Sequence, residues 1–251
     1  IKPNFASAYI YLADILSDLK KVKEAFIYYE QATRFDPEPP NYCESITKFL
    51  RSSNLSQLDQ IKLKNMFNIL LQRKDIPYNQ LFKAFNCLYR KIILNIQKEF
   101  KSDLLDKESY KLLVKDKTII QVLKKITLKD WTFEKLLTNI RKYLCIDISV
   151  NNREISFSEL EFVISLAEQC FINEYVYLFT KEENIYINKI INNCVNGKIN
   201  EANIAILACY FPLYKLIDQI PSIEYFNSSN NNFKGLIKLQ LLLPLEEKKL
   251  E

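Results

Sequence analysis

The sequence predicts an all-α protein, and three observations support this fold class. Two capping boxes, Ser156 with Glu159 and Thr180 with Glu183, mark the starts of helices. Only 2 glycines occur in 251 residues, which argues against a turn-rich β protein. Apolar residues also recur at the three- and four-residue spacing of a helix face, most clearly at Tyr78, Leu81, Phe82, Phe85, Leu88, Tyr89, Ile92, Ile93 and Ile96. Such a stripe normally faces a core.

The first predicted element is a helical hairpin between Pro3 and Pro37. Its two helices are expected over residues 6–18 and 22–35. Small Ala13 and Ala25 allow two antiparallel helices to approach closely. The closing proline cannot continue the second helix, because it lacks an N–H and clashes with the preceding turn.

Further helices are predicted along the rest of the chain, and local signals define several of their ends. Ser56 is expected to be the N-cap of the first of them. Gly197 is expected to end another, and Asn200–Cys209 is apolar almost all round and should therefore be central. The predicted ranges are 57–73, 78–96, two short helices within 102–126 that break near Lys115–Asp116, 131–144 before a turn at Asn151–Asn152, 156–177, 181–197 and 200–209.

Three regions are predicted from these elements. Residues 1–55 form a repeat region, and residues 56–220 form a helical bundle or solenoid. Beyond Pro221 the Asn-rich run Phe226–Asn232 indicates a linker with a short helix, which leads into a further domain. The chain begins without Met, so it is expected to be a fragment of a longer protein.

Composition excludes several kinds of site. The absence of histidine removes Ser–His–Asp and Cys–His catalysis and any zinc site that needs His. Two glycines cannot form a phosphate-binding loop, so no cofactor site is expected in this segment. The 6 cysteines include no CxxC pair and are expected to be free thiols in a reducing cytoplasm. No apolar run is long enough to cross a bilayer, so no membrane partner is expected.

Charge does not favour nucleic acid as a partner. The 35 basic residues face 30 acidic ones, and the two signs are interleaved along the chain. Most of the basic residues are Lys, whereas recognition of nucleobases and phosphates in nucleic acids favours Arg.

The segment from Pro3 to Pro37 resembles a tetratricopeptide repeat, whose period is about 34 residues. The residues that carry this resemblance are Tyr9, Leu12, Ala13, Leu16, Ala25, Tyr29 and Ala32. In such repeats a concave groove binds extended peptides. The resemblance implies a groove face on the first helix, and the simpler alternative is the solvated side of an amphipathic helix. The groove candidates are Ser7, Ile10, Asp14, Ser17 and Asp18.

Three later segments carry a second resemblance. They are LAEQCFINEYVYLFTKEE (Leu166–Glu183), ACYFPLYKL (Ala208–Leu216) and LQLLLPLEEKKL (Leu239–Leu250). In this order they resemble the helical region of bacterial proteins in which tetratricopeptide repeats precede a class I S-adenosylmethionine-dependent methyltransferase domain. The resemblance implies that such a domain, with its cofactor, follows downstream. The chain lacks the Gly-rich turn of that domain, so no cofactor or catalytic residue is assigned within it.

The sequence therefore predicts a non-catalytic, cytoplasmic module that binds a protein or peptide and positions it for a methyltransferase domain. One alternative is a free-standing repeat adaptor without an enzyme. Another is a helical enzyme that uses scattered carboxylates and lysines. Glu168, Asn173 and Glu174 are the candidates for a polar site, although helix-surface and local structural roles explain them more simply.

Overall fold

The computed structural model describes residues 6–35, 43–99, 108–151 and 154–248, and it confirms the all-α fold class. Every regular element within these ranges is helical, and none is a strand. The Pro3–Asn4 and Asp36–Pro37 pairs that delimit the predicted hairpin lie outside the described residues, as does Asn152 of a predicted turn. No helix in these ranges combines the length and apolar character needed to cross a membrane.

The chain forms two compact units, Ile1–Asn95 and Ile96–Glu251. This division falls forty residues after the boundary that the sequence predicts near residue 55. The N-terminal unit extends further because the helix Gln60–Gln72 packs against the second helix of the hairpin, Val22–Phe35.

Within residues 6–35 and 43–95, the N-terminal unit contains four whole helices and most of a fifth. They are α1 (Ala6–Asp18), α2 (Val22–Phe35), α3 (Cys43–Ser52), α4 (Gln60–Gln72) and α5 (Phe82–Glu99), with 3₁₀ turns at Leu55–Gln57 and Tyr78–Leu81. The last turn of α5 belongs to the C-terminal unit.

The α1–α2 hairpin has the bounds that the sequence predicts. Ala13 and Ala25 are fully buried where the two helices meet. Tyr29 of α2 is also buried, and its ring lies 4.8 Å from that of Phe49 in α3. Small and aromatic residues therefore pack as the hairpin prediction requires, whereas the repeat-type arrangement of successive hairpins stays a prediction.

The start of α4 corrects one detail of the sequence analysis. Ser56 is not its N-cap, because this residue lies inside the preceding 3₁₀ turn, which Asn54 caps. The N-cap of α4 is Asp59, whose side chain accepts hydrogen bonds from the backbone N–H groups of Ile61 and Lys62. Asp is among the strongest N-cap residues, so the shift follows ordinary capping chemistry.

The C-terminal unit is built around one helix that several others contact. Its helices are α6 (Glu108–Lys115), α7 (Lys117–Lys125), α8 (Trp131–Asn151), α9 (Phe157–Ile172), α10 (Lys181–Val195), α11 (Glu201–Ala208), α12 (Asn231–Ile237) and α13 (Leu243–Lys248). Helix α9 contacts α6, α7, α11 and α12. The predicted break at residues 115–116 is confirmed, with Asp116 as the N-cap of α7. The α11 side chains from Asn203 to Ala208 are buried, as its all-round apolar character predicts.

Both predicted capping boxes are present, but two helix ends differ from the predictions. Helix α9 starts after Ser156 and ends at Ile172, whereas the sequence extends it to about residue 177. Helix α8 continues seven residues beyond its predicted end at Leu144. It continues because Cys145 and Ile148 extend its buried face.

The segment after Pro221 is not a linker, which corrects a second prediction. Phe233, Leu236 and Leu241 are almost fully buried, and α12 packs against α9 and α11. A π-helical turn, Lys238–Leu242, connects α12 to α13. The local polarity of the Asn-rich run predicts a loop, but the apolar residues that follow it complete the core of the C-terminal unit.

Candidate functional sites

The predicted groove residues lie along one side of α1, and the structure places them in different surroundings. Ile10 is only 3% exposed, so it belongs to the hairpin core. The Asp14 carboxylate accepts hydrogen bonds from the Tyr29 hydroxyl at 2.5 Å and from the Ser45 hydroxyl at 3.1 Å. Ser7 and Ser17 are half-buried, and Asp18 is exposed. Peptide binding by these five residues stays a prediction.

Tyr29 and Asp14 form a polar contact that joins three helices. Asp14 lies on α1, Tyr29 on α2 and Ser45 on α3, so both carboxylate oxygens have partners. Burial, and then the adjacent Asp14 carboxylate, raise the pKa of Tyr29 well above its ordinary value. The neutral phenol therefore persists as a hydrogen-bond donor, which indicates a structural role for this pair.

An adjoining side of α1 carries an apolar surface that the sequence did not predict. We call Tyr11, Leu12, Ile15 and Leu19 the outer α1 stripe. They are 69%, 39%, 58% and 63% exposed. Tyr11 and Ile15 are four residues apart on α1 and therefore lie above one another. Leu19 continues this row in the turn directly after α1, where its N–H donates to the Ile15 carbonyl at 3.0 Å. The available signal was that α1 is apolar on both sides, which is typical of a helix covered on both sides.

A second apolar surface lies between α4 and α5. It is a groove of about 280 Å³ lined by Gln60, Ile61, Lys64, Asn65, Leu88, Tyr89 and Ile92, which we call the α4–α5 groove. Ile61 is 76% exposed and Ile92 is 46% exposed. The Lys64 ammonium lies 5.2 Å from the centre of the Tyr89 ring, a cation–π geometry.

This groove corrects part of the core prediction for α5. Leu81, Phe85, Tyr89, Ile93 and Ile96 of the predicted stripe are buried, as expected for core positions. Ile92 instead faces the groove, and Leu88 is half-buried. Helical periodicity identifies the apolar side of α5, but it does not show where neighbouring helices stop covering that side.

The C-terminal unit has a larger, polar cleft of about 780 Å³ at the first turn of α11. The Ser228 hydroxyl donates a hydrogen bond to Glu201, and the Asn203 amide donates one to the Lys198 carbonyl at 2.9 Å. In an adjoining cleft the Asn232 amide donates to Glu161. These contacts tie the Asn-rich segment to α9 and α11, so they explain the polar side chains structurally.

A buried ion pair lies at the centre of the C-terminal unit. Arg141, Glu183 and Tyr210 are 1%, 2% and 3% exposed. An Arg141 Nη2 atom is 3.7 Å from Glu183 Oε1, and the Tyr210 hydroxyl donates to the same oxygen at 3.0 Å. The guanidinium also lies 4.3 Å from the Tyr210 ring centre and donates to the carbonyls of Tyr177 and Leu178. Burial raises the pKa of Tyr210. This enclosed cluster joins α8, α10 and the turn after α9.

Neither the thiols nor the polar-site candidates form a reactive constellation. Burial raises the pKa of Cys145 to about 12 and that of Cys194 to about 11, so both remain protonated at neutral pH. Glu168 pairs with Lys124 at 3.8 Å, and burial raises its pKa. Asn173 is the C-cap of α9, and Glu174 is exposed in the following turn. In the described parts of the chain, no three Cys, Asp or Glu side chains are arranged to hold a metal ion.

The three segments that carry the methyltransferase-type resemblance meet at one buried side chain. Gln240 is fully buried, and its amide donates to the carbonyls of Ala167 at 2.9 Å and Ala208 at 3.3 Å. Its oxygen accepts a hydrogen bond from the Tyr175 hydroxyl at 3.0 Å. Ala167 and Tyr175 lie in the first segment, Ala208 in the second and Gln240 in the third. The contacts among the three segments are therefore structural contacts within this unit.

Comparison of the chain with models of known protein families, with curated proteins and with solved structures finds no match in any of the three.

Proposed function

We propose that this chain is a non-catalytic helical module that binds a partner protein. The observation that carries the proposal is the outer α1 stripe, with Tyr11, Ile15 and Leu19 each more than half exposed. Helical repeats contact their neighbours on two sides, and a repeat that faces only water needs a polar outer side. The outer side of α1 is apolar, so covering it with another helix is favourable, at about 1.5–3 kcal/mol for each large side chain that becomes fully buried.

The partner element that fits this surface is a helix with its own apolar stripe. Side chains four residues apart form a ridge, and such ridges pack into the grooves of a second helix. The predicted groove residues Asp14 and Ser17 are half-buried and are not members of this stripe, and Asp14 already accepts hydrogen bonds from Tyr29 and Ser45.

The experiment compares capture of proteins from an extract of the source cells by three forms of the chain. Ile15→Asp combined with Leu19→Asp places charges in the outer α1 stripe, and we expect capture of specific proteins to fall at least tenfold. Ile27→Asp is the matched control, because Ile27 is an exposed apolar residue on α2. Thermal melting should be similar for all three forms, since the changed side chains are exposed.

Equal capture by the wild type and the double variant would contradict the proposed role of the stripe. Analytical ultracentrifugation adds a second readout. A dimer that forms in the wild type and is lost in the double variant would identify a second copy as the occupant and overturn the proposal of a different partner.

The finer proposal is that the partner is a methyl acceptor, positioned for a class I methyltransferase domain. The order of the segments between Leu166 and Leu250 supports it. A strand followed by a Gly-rich turn is expected in the gene within about 150 residues after Glu251, the size of one domain. Calorimetric titration of S-adenosylmethionine into this chain should give no binding heat. Measurable binding would contradict the proposal that the cofactor site lies in a separate domain.

The proposed location is the cytoplasm. All six cysteines are free thiols, and Cys145, Cys170, Cys194 and Cys209 are buried, as expected for a protein in a reducing compartment. Cells are lysed directly into denaturant that contains an alkylating reagent, without a reductant. Mass spectrometry should then find all six thiols of the protein modified. A disulfide in freshly lysed cells would contradict this location.

A further inference from the structure

We infer that the α4–α5 groove binds an acidic peptide segment of a partner protein that carries one bulky apolar side chain. The inference rests on the proposed function insofar as the chain binds proteins, but it concerns a different surface and names the chemistry of the partner.

The size and lining of the groove indicate an anchor pocket for a side chain. Its volume of about 280 Å³ lies just below the range of small-molecule sites, about 300–1,000 Å³. Ile61 and Ile92 form its exposed apolar walls, and the Tyr89 ring is buried beside them. A Leu, Phe or Trp side chain inserted between the two isoleucines would cover apolar surface that water now contacts.

The charges of the α4–α5 segment and of the groove lining indicate the sign of the partner. Residues 59–95 contain seven basic residues and two acidic ones, Asp59 and Asp75, whereas the whole chain has 35 against 30. Asp75 pairs with Arg73 within this segment. Lys64 lines the groove, and none of the described residues that line it is acidic. The basic residues are Lys62, Lys64, Arg73, Lys74, Lys83, Arg90 and Lys91.

The excess of basic residues in this segment favours an anionic partner. The apolar lining of the groove distinguishes between nucleic acids, membranes and acidic peptides as that partner. Nucleic-acid recognition favours Arg, whereas the cation among the described lining residues is Lys64. Binding to an anionic bilayer needs a protruding apolar face, whereas this surface is concave. Carboxylates beside an apolar anchor match both features, because the anchor enters the groove and a carboxylate beside it pairs with Lys64.

The test is selection of binders to the whole chain from a random twelve-residue peptide display library. We expect the selected peptides to combine Asp or Glu with one large apolar residue, and their affinity to fall as salt is raised. In fluorescence anisotropy, Ile61→Glu should weaken a selected peptide at least tenfold, and Lys64→Glu should also weaken it. Ile61 is 76% exposed, so circular dichroism and melting should be unchanged in Ile61→Glu. Lys64 is half-buried against the Tyr89 ring, so Lys64→Glu should keep its circular dichroism but melt slightly lower.

Ile15→Glu in the outer α1 stripe is the matched control and should leave peptide affinity unchanged, which separates this inference from the proposed function. Selected peptides without acidic residues would overturn the inference, as would binding that neither groove variant weakens. Single-stranded oligonucleotides and phosphatidylserine vesicles are tested in the same way. If either binds more tightly than the peptides and this binding is lost in Ile61→Glu, the groove binds that ligand and the inference is overturned.

Discussion

At the scale of single residues, Arg73 and Asp75 show how one ion pair fixes the chain between α4 and α5. Arg73 donates to both Asp75 oxygens, from Nε at 2.9 Å and from an Nη atom at 2.6 Å. The Cys43 thiol donates to Asp75 at 3.2 Å. The hydrogen bonds from Arg73 lower the pKa of Asp75 to about 2. The arginine side chain is 7% exposed and that of the aspartate 53%, so solvent screening reduces the stabilisation.

This pair predicts a specific dependence of stability on pH. The pKa of Asp75 is lower in the folded chain than in the unfolded chain, so its contribution is complete above pH 4 and is lost as pH falls towards about 2. We expect Asp75→Asn to lower the free energy of unfolding by about 0.5–1 kcal/mol at pH 7. The difference between wild type and variant, measured by urea unfolding, should shrink as pH falls below about 4 and disappear below pH 2.

Asp218→Asn is the control for that measurement, because Asp218 is exposed and its replacement should change the free energy of unfolding very little. A stability difference for Asp75→Asn that stays constant from pH 7 to pH 2 would show that the ion pair is not its source.

At the scale of helices, three ends share one backbone arrangement, and only one of them uses glycine. After α1, α9 and α10, two crossed backbone hydrogen bonds close the last turn, in the Schellman pattern. The residue with positive φ in this turn is Lys20 at 62° after α1, Glu174 at 57° after α9 and Gly197 at 81° after α10. After α9 the next residue, Tyr175, also has a positive φ of 59°. Non-glycine residues are strained in this conformation, so two of these ends carry a local cost.

This cost predicts the effect of adding glycine. We expect Glu174→Gly to raise the free energy of unfolding by about 0.5–1 kcal/mol, because glycine adopts positive φ without steric strain. Lys189→Gly, at an exposed position within α10, should lower it by about 1 kcal/mol. Denaturant unfolding of both variants measures the difference. Destabilisation by both substitutions would contradict this account of the α9 end.

The same helix ends show what the sequence could predict and what it could not. The start of α9 at Ser156 and the end of α10 near Gly197 follow from side chains that act within one turn, and both predictions are confirmed. The end of α9 was missed because Glu174 carries no glycine signal. The exposure of Ile61 and Ile92 was missed because it depends on how far neighbouring helices reach, which periodicity does not contain.

At the scale of the molecule, the last helices complete the C-terminal unit rather than leaving it. The polar run Phe226–Asn232 masks this in the sequence, since the burial of Phe233 and Leu236 depends on helices distant along the chain. Gln240 then supplies hydrogen bonds to α9 and α11. Tertiary contacts therefore decide the structure of a segment whose local composition predicts a linker.

Replacing Gln240 tests this closure. We expect Gln240→Leu to lower the free energy of unfolding by about 2 kcal/mol, because buried carbonyls of Ala167 and Ala208 lose a hydrogen-bond donor. Gln219→Leu, at an exposed position, should change it by less than about 0.5 kcal/mol. Thermal melting compares the two, and similar small effects would show that the last helices dock loosely.

The unequal burial of the thiols has a practical consequence for spectroscopy. Cys43 and Cys87 are half-buried, whereas the other four cysteines are buried. The Cys87 sulfur lies 3.8 Å from the side-chain oxygen of Gln60, which belongs to the rim of the α4–α5 groove. In a Cys43→Ser background, a maleimide dye would attach selectively at Cys87 without any engineered thiol. Its emission would then report directly when a ligand enters or leaves beside it.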